Sequence, residues 1–108
     1  MANTFTSAAT GSSTNITTLY TCPSATTAVV HAVYLSNTDG TNNANVSISV
    51  SGSATFNTRR YLLKTMEVPA DSTVVVEKPI NLGVGDKLET QASADNDIDV
   101  FASILEMT

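Results

Sequence analysis

Residues 68–92 read VPADSTVVVEKPINLGVGDKLETQA, and their reading decides the fold. Turn chemistry and short apolar runs alternate here with no helical period. Pro69-Ala70-Asp71-Ser72 is a turn, because proline presets φ and the Asp and Ser side chains bond nearby backbone. Thr73 to Val76 is a β-branched run, and Lys78-Pro79 breaks it, since proline has no N–H for a ladder. Ile80-Asn81-Leu82 resumes an apolar alternation before a second turn, Gly83-Val84-Gly85-Asp86. In the next run Leu88, Thr90 and Ala92 share one face, while Lys87, Glu89 and Gln91 share the other. The pattern is that of an antiparallel sheet with one wet face, and it carries no chemistry that names a function.

Working outward, the same grammar covers the chain. Residues 1–14, MANTFTSAATGSST, form an N-terminal arm or an edge strand, with Phe5 as the one aromatic side chain. Residues 15–108 form the remaining β-sandwich domain. Asn15 to Cys22 is a strand with Ile16, Thr18 and Tyr20 opposite Thr17, Leu19 and Thr21, ended by a turn at Pro23. Ala28 to Asn37 is apolar on both sides, with Val29, Val33 and Leu35 on one and Val30, Ala32 and Tyr34 on the other. Such a strand is central, or is covered by a partner chain. Thr38 to Asn43 is a turn, and Ala44 to Ser51 sets Val46, Ile48 and Val50 against serines. Gly52 to Thr58 is a loop carrying Phe56. Arg59 to Val68 is a strand with Leu62, Met66 and Val68 opposite Tyr61, Leu63 and Thr65. After the turn at Asp95-Asn96-Asp97, the last strand puts Ile98, Val100, Ala102 and Ile104 on one face. Eight or nine such strands predict an all-β chain, a single two-sheet antiparallel β-sandwich of jelly-roll or immunoglobulin-like type.

Composition narrows the function. The 108 residues suit one domain. Only 14% are charged, so hydroxyl and amide groups solvate the surface, and the threonines favour strands. A net charge of −5, with few and scattered Lys and Arg, argues against a nucleic-acid partner. No apolar stretch reaches membrane-spanning length and no leader opens the chain, which predicts a soluble product made in a reducing cytoplasm. The sequons at Asn15 and Asn45 are then chance matches. The single Cys22 forms no intrachain disulfide and reads as a small residue beside a turn.

Three constellations resemble chemistry and fail on inspection. Asp95, Asp97, Asp99 and Glu106 have the spacing of a helical calcium loop, but Val100 stands where glycine is needed and the segment alternates like a strand. His31 is a lone histidine in an apolar strand with no nucleophile elbow elsewhere, so it belongs to a sheet or a subunit contact. Gly83-x-Gly85 lacks the third glycine and the helix of a dinucleotide site. No catalytic, cofactor or metal residue is expected. Sugar binding would rest on Tyr20, Tyr34, Tyr61, Phe5, Phe56 and Phe101, without any Trp.

The run TLYTCPSATTAVVHAVYLSNTDGTNNANVSISV from residue 18, followed by RYLLKTMEVPADSTVVVEKPINLGVGDKLETQASADNDIDVFASILEM from residue 60, resembles a small virion protein recurrent in tailed bacteriophages, notably those of aquatic bacteria. Its most specific parts are Tyr20-Thr21-Cys22-Pro23, the turn from Asn37 to Gly40, and Val68 to Glu89. Similar chains end in an acidic, tyrosine-bearing tail, which Ile104-Leu105-Glu106-Met107-Thr108 matches only in part. The resemblance implies a non-enzymatic structural protein of the virion, a capsid cement or decoration protein that binds the major capsid protein or its neighbours. It also implies a homo-oligomer, in trimeric form. The alternative is a tail or fibre module that binds host-surface glycans. For self-association the sequence nominates Phe5, Val29, His31, Val33 and Leu35.

Overall fold

The alternations are realised as nine strands: β1 (Asn3–Gly11), β2 (Thr17–Thr21), β3 (Thr27–Asn37), β4 (Ala44–Ser51), β5 (Arg60–Val68), β6 (Thr73–Val76), β7 (Ile80–Leu82), β8 (Lys87–Ala92) and β9 (Ile98–Met107). The structure is a computed structural model and describes residues 3–52 and 59–108. The loop expected at 52–58, with Phe56, lies outside the described residues except for Gly52.

Two antiparallel sheets pack face to face, one ordered β1-β9-β3-β6 with β7 also on β3, the other β2-β8-β4-β5. First and last strands are neighbours, paired from Asn3↔Met107 to Gly11↔Asp99. An immunoglobulin order would instead pair the first two strands, so the interleaving is that of a jelly roll. β6 and β7 lie along successive parts of β3, Val33 to Ser36 and Ala28 to Val30. They act as one strand interrupted at Lys78-Pro79, as the missing proline N–H requires.

The core fills the space between the inner faces. Ile98, Val100, Ala102 and Ile104 of β9 meet Val46, Ile48 and Val50 of β4, with Leu35, Leu82, Leu88 and Val68 around them. Deep burial of β-branched and leucine side chains, each worth about 1.5–3 kcal/mol, is the main force holding the two sheets together.

The structure corrects the expected faces of β3. The β3–β9 register shifts between Val30 and Ala32, a β-bulge at His31. A bulge adds one residue and reverses the alternation beyond it. Val30, Val33 and Leu35 therefore all point inward and are fully buried, while Val29, His31 and Tyr34 point outward. Bulges also displace β5, where Leu62 and Met66 are exposed and Leu63 packs on the core. Glu89, placed by alternation on the wet face of β8, is buried beneath Arg59.

Candidate assembly surface

The two outer faces of the sandwich differ in chemistry. On the β1-β9-β3-β6 sheet, the register aligns Ala9, Phe101, Tyr34 and Val75 in one row across four strands. Phe101, Tyr34 and Val75 are 44%, 41% and 36% exposed, a large share for such side chains. The Tyr34 and Phe101 rings lie 6.1 Å apart, tilted by 57°. A second row sets Phe5, Leu105 and Val29 side by side. Phe5 is 76% exposed and stacks on His31 at 6.2 Å. Among the paired strand positions that face outward on this sheet Asp99 is the charged one, and Glu77 and Lys78 are exposed at the break between β6 and β7.

The β2-β8-β4-β5 sheet is polar along β4 and β8, while its edge strand β5 exposes Tyr61, Leu62 and Met66. Asn45 pairs with Glu67, Ser47 with Gln91, and Ser51 with Lys87. Arg59 donates from Nη2 to Glu89 Oε1 at 3.0 Å, and the Ser51 hydroxyl donates to the same oxygen at 2.7 Å. Lys64 Nζ stands 5.2 Å from the centre of the Tyr61 ring.

Charge is also polarised along the sandwich. The β1–β2, β3–β4, β5–β6 and β8–β9 connections meet at one end, as the Asp71 N–H to Asp39 carbonyl and Thr38 N–H to Asp97 carbonyl bonds show. That end carries Asp39, Asp71, Asp95 and Asp97, and the five Lys and Arg all lie elsewhere in the chain. Asp39 is held below the usual carboxylate range because its Oδ1 accepts the N–H groups of Thr41 and Asn42. Asn37 fixes the same end from inside: its amide donates to the Asn42 and Val68 carbonyls at 3.0 and 2.9 Å. Its Oδ1 accepts the Asp39 N–H.

Several of the groups weighed for chemistry make hydrogen bonds within the fold. Asp95 accepts the Thr14 N–H and hydroxyl, whereas Glu106, at the far end of β9, accepts the Tyr20 hydroxyl. Asp95 and Glu106 are thus separated by most of a ten-residue strand. No group of three or more His, Cys, Asp or Glu side chains among the described residues is placed to hold a metal. Cys22 is buried, and that burial pushes its thiol up; the sulfhydryl donates to the Thr26 carbonyl. A shallow recess at Ala25, Thr26, Thr27, Val84, Met107 and Thr108 contains no acid, base or thiol side chain.

Of the five residues nominated for self-association, the structure brings Phe5, Val29 and His31 together on the outer face and places Val33 and Leu35 in the core. Tyr34, Phe101 and Val75 were missed as a group. Phe101 was within reach, because it alternates against the core residues Val100 and Ala102. Tyr34 required knowledge of the bulge, and Val75 required knowledge of the pairing.

No protein-family model matches the chain, and no curated protein matches it in sequence. Its fold is similar to that of a chain in the acid-stable capsid structure of Helicobacter pylori bacteriophage KHP30. The two are 15% identical, with a TM-score of 0.57, over 100% of this chain and 89% of the other. At that identity the likeness is one of fold.

Proposed function

We propose that this chain is a non-enzymatic structural protein of a tailed-phage virion, a capsid decoration or cement protein made in the host cytoplasm and seated on the major capsid protein. The observation that carries the reading is the fold shared, along the whole chain, with a phage capsid chain. The β-strand surfaces support it. A decoration protein needs a fold that holds without disulfides and an apolar area for repeated contact, and the face bearing Tyr34, Phe101 and Val75 supplies that area. Its strands carry little charge, Asp99 being the charged paired position, which limits the cost of burying unpaired ions on contact. The trimer implied by the resemblance would need head-to-tail contact between two different surfaces.

The test is co-sedimentation of the purified chain with capsids of the phage that encodes it, prepared without it. Saturable binding, lost in Tyr34→Glu and Phe101→Glu variants that keep their melting temperature, is the expected result. Absence of binding, or binding indifferent to both substitutions, would refute it.

A further inference from the structure

An open sheet has edges, and an unprotected edge strand pairs with whatever strand reaches it. This sandwich has four, and three carry devices that discourage pairing. The β6–β7 edge is interrupted by Glu77, Lys78 and Pro79. β2 is five residues long with a bulge between Thr18 and Tyr20. β5 carries Arg60, Lys64 and Glu67, its register with β4 shifts twice, and Thr65 sits at a φ of 52°. β1 has none of these. Its nine residues, NTFTSAATG, hold no charge and no proline, and they pair with β9 in unbroken register. Alternate N–H and C=O groups of β1 therefore point away from β9, in a regular row.

We propose that two copies of this chain join through the free edges of β1, antiparallel about a two-fold axis, so that the two β9-bearing sheets become one. The strand is self-complementary in that arrangement. With Ser7 on the axis, Phe5 of each copy lies opposite Ala9 of the other, and Thr4 lies opposite Thr10, so a large side chain meets a small one and like hydroxyls meet. Charge favours the antiparallel sense. Each copy is at −5, with its loop aspartates beyond the Gly11 end of β1. Antiparallel pairing holds these ends about 30 Å apart, at ~3.4 Å per residue, well past the Debye length of about 8 Å in physiological salt. Parallel pairing would set them side by side. A head-to-tail ring would have to match β1 to one of the guarded edges.

The inference stands apart from the capsid reading, and its test contains no particle. Sedimentation velocity of the free full-length chain over about 1–200 µM should show a dimer that dissociates on dilution, as mass action requires. Hydrogen exchange of the β1 amides should slow as concentration rises. Ser7→Lys sets two ammonium groups together at the axis and should weaken the dimer about two- to fivefold, with unchanged circular dichroism, whereas Ser7→Thr should leave it intact. Should Ser7→Lys unfold, the concentration dependence of β1 exchange in the unaltered protein decides the matter. A monomer throughout, a trimer as the final species, or a dimer indifferent to Ser7→Lys would overturn the proposal.

Discussion

The Tyr20 hydroxyl donates to the Glu106 carboxylate at 2.5 Å and so ties β2 of one sheet to β9 of the other. Burial first, then the bond to Glu106 and its charge, raise the Tyr20 phenol well above its ordinary value of 10.0. A group with a raised folded-state pKa contributes fully below its unfolded value and loses that contribution as pH climbs toward the folded one. Stability should therefore decline from about pH 10 upward, and Tyr20→Phe should remove that part of the alkaline slope. At neutral pH the same substitution leaves Glu106 without this donor and should cost about 1–2 kcal/mol, read from urea unfolding.

The Arg59–Glu89 pair gives a second test. The Glu89 side chain is 9% exposed, while that of Arg59 is 32% exposed. Removing the guanidinium leaves a nearly buried carboxylate with the Ser51 hydroxyl as its remaining described partner. Arg59→Ala should destabilise by about 2–3 kcal/mol, below the range for a fully buried pair because Arg59 is part solvated. Glu89→Gln in the Arg59→Ala background should recover part of that loss in a urea titration.

Gly52 is required by close approach. A β-carbon there would stand 2.0 Å from Asp86 Oδ1 and 3.1 Å from the Asp86 α-carbon. Asp86 is itself buried and accepts the Gly83 N–H, so it has little room to yield. Gly52→Ala should cost about 1–3 kcal/mol and lower the melting temperature in calorimetry.

The loop end offers a pH test of opposite sign. The carboxyl of Asp39 is depressed by the N–H groups of Thr41 and Asn42, so its contribution is present above the ordinary carboxylate range and is lost as pH falls through the lowered value. Asp39→Asn should flatten the acid limb of stability. Asn37→Ala, which strips the donors from the Asn42 and Val68 carbonyls, should cost about 2–3 kcal/mol at any pH. Guanidinium unfolding at neutral and acid pH separates the two.

Sequence patterning carried most of the fold. The β9 face of Ile98, Val100, Ala102 and Ile104, the β4 face of Val46, Ile48 and Val50, and the break at Pro79 all stand as read. Period-two alternation is a local signal, and it holds wherever a strand runs without interruption. It failed at His31 and again in β5, because a bulge changes the parity of every later residue while leaving composition untouched. Strand order was open for a related reason: jelly-roll and immunoglobulin sandwiches share local patterns and differ in long-range pairing such as Asn3 with Met107. The outer apolar face was legible only in fragments, since Ala9, Phe101, Tyr34 and Val75 are neighbours through three separate pairings.

The most direct measurement is a cryo-electron-microscopy reconstruction of the phage that encodes this chain. The expected result is jelly-roll density on the outside of the capsid shell, with Tyr34, Phe101 and Val75 covered by the major capsid protein. Density confined to the tail or fibres, absence of the chain from the virion, or a capsid-bound chain with that face in solvent would contradict it.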